Sequence, residues 1–337
     1  MKKEGFPKEQ FKTMIGGQAL IEGIMMRGPD QQAVVVRKAD GTTVSKLDPI
    51  KQRKGIAKWP LIRGLIGFVS SLVMGMKSLM YSAEVSGADT GEEEEPQSKF
   101  DAWLEKKVGS EKFMQIAIYF AVFIGIAFSV AMFFILPILL GDLFARLTGC
   151  SVIVQHLIEG LFRLLIFLGY MIVVSQMKEM RRVFSYHGAE HKTIRCYEAK
   201  LPLTVENVRK MTRKHPRCGT SFLFVIMLLS ILLFTIASYV LNAIFPGLAA
   251  LQENSRLLYN VLMMGIKLVI LLPLVVSVGF ELNRIVGRHD NWLTRILTAP
   301  GLWLQNFTTR EPDDSMMEVA IEAVELVIPT QEGADKW

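Results

Sequence analysis

Long apolar runs constrain this chain more than any other feature of its sequence. Three of them, at 113–141, 219–247 and 257–280, exceed the length of about 20 residues that crosses a bilayer core of about 30 Å. A fourth run, at 160–177, is shorter and contains Arg163 near one end. Because 51% of all residues are hydrophobic, the composition excludes an ordinary soluble protein. We predict four transmembrane helices.

A fifth apolar stretch, at 60–83, has a different character. Arg63 and Lys77 bracket only 13 residues, which are rich in glycine and serine. That length is short for a span and suits a helix that lies at the membrane surface or dips into it. We predict an interfacial or re-entrant helix rather than a crossing.

The basic residues predict the orientation of the four spans. Lysine and arginine number 18 in residues 1–112, 11 in 178–218 and five in 282–337, but one each in 142–159 and 248–256. Cytoplasmic loops carry such an excess. We therefore predict a multi-pass protein of the cell membrane with both termini in the cytoplasm. Topology thus explains the net charge of +6, and no nucleic acid partner is predicted.

The predicted fold is mainly α, a polytopic membrane helix bundle with a small N-terminal β-hairpin unit and amphipathic interfacial helices. The hairpin is indicated by AVVVRK and TTVSKL, which flank the turn Ala39-Asp40-Gly41. The predicted segments are a cytoplasmic β unit (1–58), an interfacial or re-entrant helix (59–85), an acidic linker with a short helix (86–112), a four-helix membrane domain (113–281) with a structured cytoplasmic loop (178–218), and a cytoplasmic amphipathic tail (282–337).

Local signals refine this outline. The paired glycines in IGGQALIEGIMMRG indicate a strand with a bulge or a close backbone approach. Residues 178–199 are predicted to continue the second span as a helix into the cytoplasm. Thr204 is expected to cap a short helix, and Asp314 or Ser315 to cap an amphipathic helix at 315–329.

The cytoplasmic loop holds the chain's clearest chemical motif, His187-x-x-Glu190-His191. On a helix, residues four apart lie on one face, so both imidazoles can reach one ion. In H-x-x-E-H zinc peptidases the glutamate acts as general base on metal-bound water. We predict that His187 and His191 bind Zn²⁺, with Glu190 catalytic.

A catalytic zinc site usually has three protein ligands. His215, at the cytoplasmic start of the third span, is the first choice for the third ligand. The alternatives at the same membrane face are Cys218, Glu281 or His289.

The plainer interpretation is that the two histidines only form hydrogen bonds on a polar helix. Gly188, between them, lowers helix stability by about 1 kcal/mol, which argues against a rigid ligand platform. On this interpretation no metal is bound.

A second constellation consists of basic and hydroxyl side chains near the start of the third span and the end of the fourth. We predict an anion-binding set of Arg217, Thr220, Arg284 and Arg288, because a helix N-terminus favours anions. The alternative is ordinary contact with membrane lipid headgroups.

Charged residues also fall inside the spans. Glu159 and Arg163 are spaced to pair at i, i+4. Lys267 lies in mid-span, where a charge needs a partner or a polar cavity, and the sequence does not show which acidic residue serves it.

Five motifs together resemble a known family. They are GGQALIEGIMMRGP (16–29), YHGAEHKTIRCYE (186–198), HPRCGTSFL (215–223), ELNRIVGRHDN (281–291) and TTREPDD (308–314). The chain resembles the YqhQ-like family of bacterial multi-pass membrane proteins over roughly residues 13–328. The resemblance implies the bacterial inner membrane and the label of predicted metal-dependent enzyme, but it supplies no substrate. That label rests on the same His/Glu/Cys pattern and adds no independent support.

Three functional hypotheses follow. The first is a metal-dependent hydrolase at the cytoplasmic membrane face, acting on a membrane-proximal anionic substrate. The second is a non-catalytic scaffold or regulator that docks partner proteins, and the third a small-solute carrier or channel.

Overall fold

The computed structural model describes residues 9–50, 54–87, 110–289, 291–331 and 333–336. They form two compact units. We name them the sheet unit (9–87, 171–230 and 272–336) and the helix unit (110–170 and 231–271).

The strands are β1 (Gly16–Leu20), β2 (Gly23–Arg27), β3 (Gln31–Arg37) and β4 (Thr43–Pro49). The helices are α1 (Ile62–Ser86), α2 (Ser110–Val130), α3 (Leu136–Thr148), α4 (Val152–Val174), α5 (Lys178–Glu198), α6 (Val205–Arg209), α7 (Gly219–Ile244), α8 (Pro246–Asn254), α9 (Arg256–Ile266), α10 (Leu272–Arg288), α11 (Trp292–Thr308) and α12 (Asp314–Glu325). A 3₁₀ turn occupies Gly55–Lys58, and π-helical turns join α2 to α3 (Ala131–Ile135) and α9 to α10 (Lys267–Leu271).

The sheet is antiparallel throughout, in the order β1-β2-β3-β4. The predicted hairpin is confirmed, since Val36 pairs with Val44 and Gly41 has the positive φ of +85° that favours glycine. The stretch IGGQALIEGIMMRG forms two strands rather than one bulged strand. The turn between them lies at Ile21 and Glu22, and Glu22 takes φ +50°. Neither residue is an asparagine or a glycine, which are the usual sequence signals of a tight hairpin turn.

Both faces of the sheet are covered. On one face Ile24, Met26 and Val35 pack into a core with residues of α5 and α12. On the other, Leu20, Met25, Val34 and Val36 form a second core, against which Tyr81 and Val85 of α1 pack. Because successive residues of a strand point to opposite faces, β2 and β3 supply both cores.

Helix α1 presents its small residues to the protein. A Cβ at Gly64 would lie 3.0 Å from the Phe280 Cβ of α10, and one at Gly75 would lie 2.3 Å from Oε1 of Gln18. Its large apolar side chains face outward and are exposed; they include Leu65, Val69, Leu72, Val73, Met76, Leu79 and Met80. The helix is continuous over 25 residues and does not end at the flanking charges.

Five helical segments among the described residues are long and apolar enough to cross a membrane, and these helices indicate a membrane protein. The segments are Ile62–Ser86, Phe120–Thr148, Val152–Val174, Gly219–Ile244 and Arg256–Arg288.

Within the helix unit, buried charges satisfy one another. Arg163 donates to Glu159 at 2.7 Å, which confirms the expected i, i+4 pair. Lys267 donates to both oxygens of Glu159, at 2.9 and 3.0 Å, so Glu159 is the partner that the sequence could not name. Arg163 also donates to the carbonyl of Phe133 in the π-helical turn. His156 is also buried, and its Nδ1 lies 3.3 Å from Oε2 of Glu159.

Several local predictions need correction. Helix α5 is separate from α4, because the chain breaks at Ser175–Met177 and Met177 is extended; Arg310 donates to the Ser175 carbonyl at this break. Thr204 does cap α6. The cap of α12 is Asp313 rather than Asp314 or Ser315, since its carboxylate accepts from the Met316 N–H. Most of the acidic linker, residues 88–109, lies outside the described residues.

Candidate metal centre

Helix α5 carries the three residues of the motif, and Gly188 between them has a packing role. A Cβ at this position would lie 2.0 Å from the carbonyl oxygen of Arg310. Only glycine allows so close an approach of two backbones. The residue that weakens the isolated helix therefore brings α5 against the segment that follows α11.

Two backbone carbonyls orient the histidine rings. Nδ1 of His187 lies 2.8 Å from the Thr308 oxygen, and Nδ1 of His191 lies 2.6 Å from the Arg213 oxygen. A carbonyl only accepts, so each Nδ1 carries the proton and, in a neutral ring, Nε2 keeps the lone pair. This second contact is the usual support of a metal-binding histidine.

The two imidazole rings and a thiol lie close together. His187 and His191 have ring centroids 4.3 Å apart, and Nε2 of His187 lies 3.2 Å from Sγ of Cys218. One ligand atom from each of the three residues lies within 4.8 Å of the other two. A tetrahedral zinc with bonds of about 2.0–2.3 Å separates its ligands by about 3.3–3.6 Å. The three side chains therefore match a metal site with small adjustments.

Glu190 stands beside this triad. Its Oε1 accepts from the Gly17 N–H at 3.1 Å, while Oε2 is buried without a hydrogen-bond partner among the described residues. A Cβ at Gly17 would lie 2.6 Å from the Met25 oxygen and 3.1 Å from Cδ of Glu190. The second glycine of the first strand thus makes room for the carboxylate and also binds it.

The charges in this cluster are coupled. Burial alone would lower the pKa of His187, but Cys218 and Glu190 raise it to about 9. Burial alone would raise the pKa of Cys218, but His187 and His191 hold it well below the ordinary thiol value. Burial raises the pKa of Glu190. A thiolate is the form of cysteine that binds metals.

His215, the first choice for the third ligand, does not belong to the converging set. Its Nε2 lies 3.3 Å from Oε2 of the fully buried Glu198, and its ring centroid is 5.6 Å from that of His191. Burial, with the nearby Arg217, lowers its pKa well below the usual value. The contact with Glu198 engages the Nε2 of His215, whereas Cys218, three residues later, lies within reach of the two other histidines.

The two other alternative ligands lie elsewhere. Glu281 forms an ion pair with Arg63 of α1, where Nε donates to Oε1 at 2.7 Å. His289 is exposed, and its Nδ1 lies 3.0 Å from the Ile285 oxygen of the preceding turn. Neither is among the residues whose ligand atoms converge.

The predicted anion-binding residues occupy different surroundings. Arg217 forms a buried ion pair with Glu198. Thr220 contacts Cys218, with Oγ1 3.2 Å from Sγ. Arg284 is half-buried on α10, and Arg288 is exposed at its end.

Sequence reasoning missed Gln305, which holds the loop that carries Cys218. Gln305 is fully buried on α11. Its Nε2 donates to the His215 oxygen at 2.7 Å and to Oγ of Ser221 at 3.0 Å, and its Oε1 accepts from the His215 N–H at 2.8 Å. Its sequence signal is weak, because Asn306 beside it is also an amide and the helix carries further polar residues.

The similarity to known proteins agrees with the expected family. A family model described as "Protein of unknown function (DUF1385)" matches residues 59–330. The uncharacterized protein YqhQ of Bacillus subtilis (strain 168) is 34% identical over 320 residues, which is 94% of this chain and 92% of that protein. No solved structure matches. The resemblance read from the five motifs is confirmed, and the chain belongs to the DUF1385 family of unknown function.

Proposed function

We propose that this protein is a metal-dependent hydrolase of the cell membrane, with a centre formed by His187, His191 and Cys218. The observation that supports it is the convergence of ligand atoms from two imidazoles and one thiol, together with carbonyl contacts to both Nδ1 atoms that leave Nε2 of each neutral ring available to a metal. Two imidazoles and a thiolate suit Zn²⁺. His187 is half-buried, whereas His191 and Cys218 are buried.

Glu190 would supply the base. Zinc held by three protein ligands keeps a fourth position for water and lowers the pKa of that water to about 7. The Oε2 of Glu190, which is buried without a hydrogen-bond partner among the described residues, would accept the proton as the water attacks. The Gly17 N–H would keep the carboxylate in position throughout.

A metal-free Cys–His nucleophile is the nearest rival for these side chains, because the Nε2 of His187 lies 3.2 Å from the Cys218 sulfur. Such a pair needs a single imidazole. Here a second imidazole, His191, has a buried Nε2 with no hydrogen-bond partner among the described residues. A metal ion would satisfy that atom, which favours the metal.

We propose that the centre faces the cytoplasm and that α1 does not cross the membrane. The sheet precedes α1 in the chain, yet it packs against α5 in one core. The sheet and α5 must therefore lie on the same side of the membrane. An even number of crossings must separate them. The α2–α3 segment and α4 provide two, which leaves α1 on the membrane surface with its large apolar side chains toward lipid. The distribution of basic residues supports the cytoplasmic side.

Elemental analysis of the full chain purified in detergent tests the metal. We expect about one zinc per chain in the wild type, and loss of it in the His187→Ala/His191→Ala variant and in Cys218→Ser. His289→Ala is the matched control, since that imidazole is exposed and outside the cluster. Correctly folded wild-type protein without any transition metal would refute the centre.

A complementation assay then separates an enzyme from a scaffold. If the function is catalytic, Glu190→Gln should bind zinc and fail to complement. Full complementation by Glu190→Gln would favour a scaffold or regulator, in which the metal only stabilises the fold.

A further inference from the structure

We propose that β4 (Thr43–Pro49) is a dimer interface, at which this strand pairs with β4 of a second copy of the chain. It is the last strand of the sheet, so one of its edges faces no other strand among the described residues. All its residues except Val44 are exposed, whereas β3 beside it is buried over 32–36. The helices that cover the two faces of the sheet thus leave β4 largely open, and a further strand can approach its edge.

Hydrogen bonds of the β3–β4 ladder show which backbone groups face the free edge. The Lys38 N–H donates to the Thr42 oxygen, and the Ile50 N–H donates to the Asp30 oxygen, each at 2.8 Å. Antiparallel strands exchange such bonds at every second residue. The even-numbered residues of β4 therefore bond to β3, and the odd-numbered ones direct their N–H and C=O groups away from it.

The free edge carries unpaired backbone groups. The N–H groups of Ser45 and Leu47 have no hydrogen-bond partner within the part of the chain that the structure describes. Such a row on an exposed edge is a template for another strand. Pro49 has no N–H, so the donors of the row end at Leu47. The edge therefore suits a short partner strand.

The sequence of β4 is complementary to itself around Leu47. When two copies pair antiparallel with Leu47 opposite Leu47, these residues exchange two hydrogen bonds, and the Ser45 N–H of each copy can donate to the Pro49 oxygen of the other. The same register places Lys46 of each copy opposite Asp48 of the other. These are the closely spaced pairs of the ladder, where opposite charges favour pairing. A second copy thus matches the edge in both hydrogen bonds and charge.

The side chains of this segment are available to a second copy. Those of Lys46 and Asp48 are each 52% exposed and lie 3.9 Å apart within the strand. The Lys46 ammonium also lies 5.3 Å from the centre of the Tyr81 ring, and contacts at such exposed positions contribute little. Leu47 points to the opposite face of the sheet and is 48% exposed. Pairing would bring two of these apolar side chains together across the two-fold axis.

The charges also select one register and one kind of partner. Lysine and proline on an edge strand usually discourage pairing with other chains. A shift of the register that brings Lys46 opposite Lys46 sets like charges against each other, which disfavours it. A strand of another protein offers no fixed carboxylate to Lys46, whereas the second copy offers Asp48. Charge complementarity therefore favours a second copy as the occupant.

Disulfide cross-linking of the full chain in membranes tests the register. Leu47→Cys is made in a Cys150→Ser background, in which the two remaining cysteines are buried. Paired positions of this kind have Cα atoms about 5.5 Å apart, which a disulfide can bridge, so mild oxidation should give a cross-linked dimer. Thr43→Cys is the matched control on the same exposed edge. Two such residues would be eight positions apart along the paired strands, or about 27 Å at about 3.4 Å per residue, and should not cross-link.

An exchange of charges gives a second test. Lys46→Asp sets two carboxylates against each other in both cross-strand pairs and should raise the dimer dissociation constant in detergent about tenfold. Lys46→Asp/Asp48→Lys restores the complementarity and should return the wild-type value. Light scattering over a concentration series measures both. Because the two side chains are exposed, the thermal transition should stay unchanged in either variant.

Several results would overturn the proposal. They are a wild-type chain that is monomeric at every concentration and does not cross-link at Leu47, a dimer that Lys46→Asp leaves intact, and a loss that the exchanged variant does not repair. Cross-linking at Thr43 as efficient as at Leu47 would also overturn it, because the edges would then meet without a fixed register. The interface does not depend on the metal centre, so the His187→Ala/His191→Ala variant should lose zinc and remain dimeric.

Discussion

Gln305 offers a sharp test of how the metal centre is held together. Replacing Gln305 by leucine keeps roughly the same volume but removes both functional atoms of the amide. The N–H and the carbonyl of His215 would each lose a hydrogen-bond partner, at 2.8 and 2.7 Å in the native structure. The Ser221 hydroxyl would lose a third contact, at 3.0 Å.

The size of the effect follows from burial. His215 is 4% exposed, so water reaches its backbone poorly. A buried group left without a partner costs about 1–3 kcal/mol. With two backbone groups affected, and the Ser221 hydroxyl free to rotate, we expect a loss of about 2–6 kcal/mol in the free energy of unfolding of the sheet unit. Because the same loop carries Cys218, the zinc dissociation constant should also rise 10- to 100-fold, as when a metal ligand loses its supporting contact.

Zinc affinity is measured by competition with a chelator, and stability by the thermal transition followed through tryptophan fluorescence in detergent. Asn306→Leu is the control, since the side chain of this exposed neighbour donates to the Trp303 carbonyl of its own helix. Loss of stability with unchanged zinc affinity would refute the view that Gln305 positions Cys218.

Four further predictions can be checked with standard assays. Gly188→Ala should destabilise the protein by about 1–3 kcal/mol despite its better helix propensity, because the new methyl meets the Arg310 carbonyl; Gly219→Ala, in open space, should not lower the melting temperature. Glu190→Gln should retain stoichiometric zinc by elemental analysis while complementation fails. In zinc-free protein the contribution of His187 to stability should be fully present below pH 6.5 and lost as the pH rises through about 9, since its folded-state pKa is raised; a His187→Gln variant with the same pH profile in chemical denaturation would contradict this. An impermeant thiol reagent should label Glu84→Cys and Lys38→Cys from the same side of the membrane, in a Cys150→Ser background, whereas a crossing α1 would place them on opposite sides.

The spacing of residues was enough to predict part of the candidate site. Residues four apart share a helix face whatever surrounds them, and His187 and His191 do lie with their rings 4.3 Å apart. The pair between Glu159 and Arg163 followed from the same rule. The same rule could not predict the partner of Lys267, because that partner, Glu159, belongs to a different helix.

Long-range placement could not be read from the chain. His215 and Cys218 are both close in sequence to the third apolar run, and nothing local distinguishes them as ligands. Packing decides between them, since Glu198 occupies the His215 ring and Gln305 holds the loop that directs Cys218 toward α5. The break between α4 and α5 is likewise a tertiary effect, because an arginine more than a hundred residues later donates to the Ser175 carbonyl.

The sequence by itself determined the apolar helices, the antiparallel hairpin around Asp40-Gly41 and the shared face of His187 and His191. Each of these depends on hydrophobic length or on a backbone preference over a few residues. Only the tertiary structure decided that Cys218 completes the cluster and that the Gly17 N–H donates to Glu190. It also decided that Glu159 pairs with Lys267 and that Gly188 allows the close approach of the Arg310 carbonyl. These contacts join residues far apart in the chain, and their formation depends on how whole elements pack.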